Sequence, residues 1–273
     1  MDQLYKKLLT FSYNIVGSYH DAEDLVQDII EKYIITDKSH IRNEANYLIR
    51  SVINHSINFK ERNKRNTQFG TWLPEPAATG SPESKLIKEN TASYSLLVLM
   101  ERLTAKERSV FILKEGFDYS HEEIAQVLEI SYDNSRQLFS RAKKSLNQRS
   151  FKKTESAAVN LQQYIDAIIN GNVKHLEQLL MDDIRVFADG GNKIRVVKDF
   201  VMGKEDTINL MLFVYNSFLS HCRYEITIVN GEQAICFYRR DKLINCQVFH
   251  SFEGRVAEIY AIVDPAKLNN LHS

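Results

Sequence analysis

The sequence has few of the residues that staple or break a chain. Three cysteines stand among 273 residues, Cys222, Cys236 and Cys246, late in the chain and without metal-ligand spacing. An odd number so placed argues against a disulfide framework or a zinc site. Of the four prolines, three fall within residues 74–82, and the single tryptophan, Trp72, stands beside them. No apolar run approaches the roughly 18 residues a membrane span needs. The opening Met-Asp-Gln-Leu-Tyr-Lys-Lys lacks the apolar stretch of a secretory signal. A cytoplasmic protein away from membranes is the expectation. The hydrophobic fraction of 44% and charged fraction of 26% exclude disorder throughout and a fibrous repeat. The length suggests two domains or three small ones.

Net charge is zero, with 35 basic and 35 acidic residues, but the charges are unevenly spread. Residues 93–153 hold 11 basic and 8 acidic side chains, and residues 154–273 hold 12 and 15. Within 131–153, Arg136, Arg141, Lys143, Lys144, Arg149, Lys152 and Lys153 oppose Asp133 alone. Such a run is the footprint of polyanion binding, although a solvated helix face explains an isolated run equally well.

Apolar spacing predicts a helix over 2–16 (Leu4, Leu8, Phe11, Ile15) ended by Gly17, and a second from about Asp21 to Ile35. The second has an acidic and amide face of Glu23, Asp24, Gln27, Asp28 and Glu31. A third is expected from Glu44 to Arg65. Residues 69–92 read as a linker, with Pro74, Pro76, Pro82, Gly70 and Gly80, and inside it lies Trp72-Leu-Pro-Glu-Pro76. Trp72 there suits a hydrophobic anchor, a docking motif, or both. Helical periodicity resumes over about 83–103, and Thr104 with Glu107 forms a capping box. Ser120 caps a short helix, Glu129-Ile130-Ser131 makes a tight turn, and Ser131 caps a last helix to about Arg149. That pair reads as a helix-turn-helix. Beyond a hinge at 150–158, two helices (about 159–170 and 173–180) precede strands. Asn230-Gly231 joins two of them as a hairpin, and turns at Asp241-Lys242 and Glu253-Gly254 set off two more. This is an α+β unit with helices first and then a curled antiparallel sheet.

At this point the residues resemble a known family. Phe11-Ser-Tyr-Asn-Ile-Val-Gly-Ser-Tyr-His-Asp-Ala-Glu-Asp-Leu-Val-Gln-Asp28 is similar to the N-terminal signature of bacterial sigma factors of the extracytoplasmic-function group. Asn46-Tyr-Leu-Ile-Arg-Ser-Val-Ile-Asn-His-Ser-Ile-Asn58 resembles that family's helix at the promoter −10 element, and residues 120–146 resemble its −35 helix-turn-helix. Trp-Leu-Pro-Glu-Pro, Asp189-Gly-Gly-Asn-Lys193 and Asp264-Pro-Ala-Lys-Leu268 resemble three marks of the subgroup with a SnoaL-like C-terminal extension. The implied fold is multidomain. All-α sigma-2 (1–68) and sigma-4 (93–150) domains, joined by the linker 69–92, precede an α+β cone-shaped SnoaL/NTF2-like regulatory domain (155–273). Departures are Glu129, Asn192, Asp264 and Ala266. Where the family usually has Gly, Glu129 in a left-handed turn costs about 1 kcal/mol. Asn192 is the mildest replacement, because Asn also tolerates positive φ.

The resemblance implies roles. Asp24, Gln27 and Asp28 would contact core RNA polymerase. Asn54, Asn58, Lys60 and Arg62 would meet −10 DNA, while Tyr47 suits the core better than base stacking. Asp133, Asn134, Arg136, Gln137, Ser140, Arg141 and Lys144 would meet −35 DNA. Arg136 and Gln137 are the candidates for base edges, because both can bond bidentately; Arg141, Lys143 and Lys144 suit phosphate. Trp72, Leu73, Pro74, Asp189, Gly190, Gly191 and Lys193 would be regulatory. Promoter elements roughly 17 base pairs apart lie about 60 Å from each other. The 24-residue linker reaches that far at up to about 3.3 Å per residue, so two separated modules are expected. The expected partners are core RNA polymerase and promoter DNA, for a monomer without metal or cofactor; a small ligand in the C-terminal unit stays open. Two other readings stand beside a sigma factor regulated in cis. One is a polymerase-independent helix-turn-helix regulator with a ligand-sensing domain. The other is a SnoaL- or isomerase-type enzyme fused to a DNA-binding module, for which Asp189, His221, Tyr238 and His250 are the acid–base candidates.

Overall fold

The computed structural model describes residues 2–63, 69–77, 91–147 and 159–272. The chain divides into two compact units, residues 1–64 with 80–152 and residues 65–79 with 153–273.

The first unit is helical. Helix α1 (Asp2–Val16) stops at Gly17, whose φ of +79° carries the chain into a left-handed turn. Ser18 then caps α2 (Tyr19–Ile35), accepting the Asp21 N–H at 3.2 Å. Asn43 caps α3 (Glu44–Arg62) in the same way. Leu8, Phe11 and Ile15 of α1 are buried with Ala22, Val26 and Ile29 of α2 and with Leu48, Val52, Ile53 and Ile57 of α3. Each fully buried aliphatic side chain contributes about 1.5–3 kcal/mol. The third helix ends at Arg62 rather than Arg65, with Asn63 as its cap; Lys64 and Arg65 lie outside the described residues.

Ser93 caps α4 (Tyr94–Met100), which is shorter than the periodicity over 83–103 suggests, and residues 83–90 lie outside the described set. The Thr104–Glu107 capping box opens α5 (Ala105–Phe111), whose last turn widens over Ile112–Gly116 into i→i+5 bonding. A second capping box, Ser120 with Glu123, opens α6 (His121–Leu128). Glu129 makes the turn at φ +53°, and Ser131 accepts the Asn134 N–H at 3.1 Å at the start of α7 (Tyr132–Asn147). Arg149 lies outside the described residues.

The two halves of this unit are packed together, an arrangement of the free chain that the sequence left open. The Phe11 and Phe117 rings lie 4.0 Å apart. Arg108 of α5 is fully buried; its Nε donates to the Asn14 carbonyl at 2.7 Å, near the C-terminal end of α1, where free carbonyls favour a cation. Arg108 also donates to Glu101, which accepts from Lys60 of α3 at 2.9 and 3.1 Å. Burial alone would raise the Glu101 pKa, but Arg108 and Lys60 more than offset it and hold the carboxyl below its ordinary value. Periodicity tells which face of a helix is apolar; it does not tell which neighbour covers it.

The second unit begins with α8 (Leu161–Ile169), capped by Asn160, and α9 (Val173–Leu179). Six strands follow: β1 (Leu180–Asp189), β2 (Phe200–Met202), β3 (Arg223–Val229), β4 (Glu232–Arg239), β5 (Lys242–Phe252) and β6 (Arg255–Ile262). Helix α10 (Lys204–Val214) separates β2 from β3, and α11 (Pro265–Leu268) follows β6. Strand order is β2-β1-β6-β5-β4-β3. The sheet is mixed, which corrects the antiparallel expectation: β1 runs parallel to β6, and every other pair is antiparallel. The sequence reading also missed α10. Its apolar residues lie on more than one face, with Ile208 and Met211 buried and Phe213 exposed, so it lacks a clean helical stripe.

Helices α8, α9 and α10 cover one sheet face, burying Tyr164, Ile165, Leu176, Ile208 and Met211 against Val186, Ile235, Phe237, Phe249 and Ile259. Register shifts interrupt three of the strand pairs, and such bulges bend strands. The result is an α+β fold, with helices packed on one face of a curled mixed sheet. Asn230 and Gly231 both have positive φ, as the hairpin dipeptide requires.

Candidate nucleic-acid interface and linker clasp

Helix α7 presents Arg136, Arg141, Lys143 and Lys144 of the basic stretch to solvent, while Lys152 and Lys153 lie outside the described residues. Ser135, Leu138, Ala142 and Leu146 are buried, while Asp133, Arg136, Gln137, Ser140, Arg141 and Lys144 are exposed and Asn134 is half-buried. Arg141 pairs with Glu107 at 3.4 Å and Lys143 with Glu115 at 3.1 Å. These phosphate candidates are thus partly neutralised by acids of their own unit. Arg136 makes no ion pair among the described residues and lies over the Tyr132 ring, 5.7 Å from its centroid.

Helix α3 divides its candidates. Asn58 and Arg62 are exposed. Asn54 donates to the Val127 carbonyl of α6 at 3.4 Å, and Lys60 is bound to Glu101. Arg50 of the same helix forms an ion pair with Glu129, the left-handed residue of the turn. Tyr47, which the sequence suggested for the core, is 38% exposed with its ring 5.7 Å from that of Tyr33. On α2, Asp24, Gln27 and Asp28 all face solvent.

In the second unit the linker motif folds onto the glycine loop. Asp189, at the end of β1, is fully buried. Its carboxylate accepts the Leu73 N–H at 2.7 Å and the Gly191 N–H at 2.8 Å. Lys267 of α11 donates to the same carboxylate and to the Leu73 carbonyl, with its Nζ 4.3 Å above the Trp72 ring. Backbone bonds continue the attachment: Phe69 N–H to Gly191 O at 3.0 Å, Gly190 N–H to Phe69 O at 3.1 Å, and Thr71 N–H to Ala188 O at 2.9 Å. At the far end, Ala77 and Asn230 exchange hydrogen bonds. The Asp189 carbonyl accepts from Val263 and Asp264, and Asp264 caps α11.

Two glycines are required. A Cβ on Gly190 would stand 1.7 Å from the Ile194 carbonyl oxygen, and one on Gly191, at φ +59°, would stand 2.4 Å from the Asp264 carboxylate. Asn192 has no positive φ among the residues that do, so its tolerance for that region is not called upon. Trp72, Leu73, Asp189, Gly190 and Gly191 therefore meet at one place, and Pro74 is buried beside them. Lys193 does not join them: its side chain is exposed, and the cation at Asp189 is Lys267. Lys267 belongs to the Asp264–Leu268 motif, a signal that was available in the sequence.

The acid–base candidates do not converge. Asp189 and His250 lie on strand positions facing away from α8 and α10, and so does Tyr238, whose hydroxyl is pushed up to about 12, first by burial. His221 is exposed. The cavity beneath the helices is lined by Tyr164, Ile165, Ile168, Met211, Tyr215, Leu219, Phe237 and Gln247, a set without carboxylate or imidazole. No group of residues among those described could hold a metal ion, and no described helix is long and apolar enough to cross a membrane.

Residues 93–146 match the family Sigma-70, region 4. Over 245 residues, 85% of this chain and 78% of the relative, the chain is 27% identical to the ECF RNA polymerase sigma factor SigJ of Mycobacterium tuberculosis. It is 23% identical over 280 residues, 97% of this chain and 92% of the relative, to the probable ECF RNA polymerase sigma factor SigI of the same species. The crystal structure of M. tuberculosis SigJ superposes with a TM-score of 0.79 at 22% identity, covering 98% of this chain and 97% of that one.

Proposed function

We infer that this chain is an extracytoplasmic-function sigma factor that directs core RNA polymerase to promoters and carries its own regulatory domain. The observation that carries this reading is α7, an outward-facing basic helix in a helix-turn-helix, within the part of the chain that matches sigma-70 region 4. Residues 1–68 are proposed as the −10 and polymerase-binding domain, 93–150 as the −35 domain and 155–273 as the regulatory domain. Asp24, Gln27 and Asp28 meet the polymerase. Asn54, Asn58, Lys60 and Arg62 meet −10 DNA, and Asp133, Asn134, Arg136, Gln137, Ser140, Arg141 and Lys144 meet −35 DNA. The protein acts in the cytoplasm as a monomer, with polymerase and promoter DNA as partners. The lining of the C-terminal cavity supports a non-enzymatic role for that domain.

The reading of regulation in cis is supported by an argument from reach. The linker 69–92 spans at most about 80 Å when extended. With 69–77 held on the second unit, residues 78–92 remain, 15 residues that span at most about 50 Å. Elements roughly 17 base pairs apart are about 60 Å from each other. The clasp at Asp189 thus takes the nine residues 69–77 out of the tether's free length, which supports a restraint on how far the two DNA-binding domains can separate. The packed state of the helical unit, which engages Asn54 and Lys60, acts in the same direction. Run-off transcription with core polymerase tests the reading. RNA from defined start sites is expected with the full chain and more with Asp189→Asn; no RNA in either case, together with no binding to core polymerase, refutes it.

A further inference from the structure

Among the described residues Arg136 has no acidic partner of the kind that fixes Arg141 and Lys143, so something else sets its direction. Tyr132 is the first residue of α7 and lies one turn before Arg136 on the same face. Tyr132 is 43% exposed, yet its ring is held from behind. The His121 ring meets it edge-on at 6.1 Å and 88°, and His121 Nδ1 is 2.9 Å from the hydroxyl of buried Ser135. His121 also packs on Phe139 at 5.6 Å, and Phe139 stacks on Phe111. A column of rings therefore runs from half-buried Phe111 through Phe139, His121 and Tyr132 to the Arg136 guanidinium.

We propose that Tyr132 is a positioning residue for −35 recognition: its ring, buttressed by His121, holds the Arg136 guanidinium in place to bond bidentately to a guanine edge. This rests on the sigma-factor reading above. A guanidinium held over a ring face by cation–π attraction spends no N–H on that contact, so its fork stays free. The fork matches the O6 and N7 acceptors of guanine in the major groove. The N-terminal turns of a recognition helix are the part that meets base edges. A ring that fixes the fork beforehand removes freedom that binding would otherwise have to remove.

The test uses the full chain reconstituted with core polymerase and a promoter library randomised across both elements, with transcribed templates sequenced. The wild type is expected to select guanine at one −35 position, identified as the preference lost in Arg136→Ala. Tyr132→Phe should keep that preference, because the ring face is intact. Tyr132→Ala should weaken it roughly fivefold or more, with the salt dependence of promoter binding unchanged, since no phosphate contact is lost. Full preference in Tyr132→Ala overturns the proposal. Equal loss in Tyr132→Phe overturns it too, since the hydroxyl would then be the contacting group. An Arg136→Ala variant with unaltered selection also overturns it, while a wild type that yields no promoter-dependent RNA brings down the sigma-factor reading itself.

Discussion

Lys267 donates to the buried carboxylate of Asp189, 78 positions away, and in the same reach to the carbonyl of Leu73. One ammonium thus joins the linker motif, the glycine loop and the terminal helix.

Replacing Lys267 by Met leaves Asp189 buried without its cation. Removing one partner of a buried pair costs about 3–5 kcal/mol, so urea unfolding of the full chain should shift to a lower midpoint. Protease cleavage within 69–77 should become faster. Adding Asp189→Leu should recover part of the loss, because the stranded charge is then gone. A double variant less stable than Lys267→Met would show that the Asp189 N–H bonds, and not the ion pair, hold the clasp.

Glu129 occupies a left-handed position in the helix-turn-helix turn while pairing with Arg50. The backbone conformation costs about 1 kcal/mol, and a surface ion pair returns about 0–1 kcal/mol. Glu129→Gly relieves the first and loses the second, so the chain should be as stable as wild type or more so, by up to about 1 kcal/mol. Glu129→Ala keeps the strain and loses the pair, and should be the less stable of the two. Equilibrium denaturation of both variants measures the difference.

Arg108 is the largest fully buried side chain among the described residues and binds both Glu101 and the end of α1. Arg108→Ala should lower stability by about 3–5 kcal/mol, by cavity formation and by stranding Glu101. Circular dichroism melts of the full chain report it. Glu101, with its pKa held low, contributes stability above its ordinary value of 4.5 that is lost as pH falls through the folded value. That acid-side loss should be absent in Glu101→Gln.

Burial would lower the His250 pKa, but the hydrogen bond and charge of Glu232, with Glu258 nearby, raise it above 6.5. A folded pKa above the unfolded one means stability that is present in full below 6.5 and lost as pH rises through the folded value. Melting temperature should therefore fall between about pH 6 and pH 8 more steeply for wild type than for His250→Gln. Equal slopes would show that the imidazole titrates alike in the folded and unfolded chains.

Much of this molecule was legible one residue at a time. Ser18, Thr104, Ser120 and Ser131 cap helices because a hydroxyl before an apolar stripe satisfies free N–H groups, a purely local relation. Asn230-Gly231 turned where its backbone freedom said it would. Helix α10, with apolar residues on more than one face, gave no such signal. Neither did the parallel pairing of β1 with β6, which joins residues about 70 positions apart.

The amino-acid order by itself determined the capped helices other than α10, the hairpins and the basic face of α7, since each depends on spacing within a few residues. It also marked three motifs as belonging together. Only the tertiary structure decided that they meet at Asp189, that Lys267 rather than Lys193 supplies the charge, and that Lys60 and Asn54 are engaged inside the helical unit. Those outcomes depend on which distant surfaces bury one another, and a buried carboxylate takes the cation that packing brings to it, whatever lies next to it in the chain.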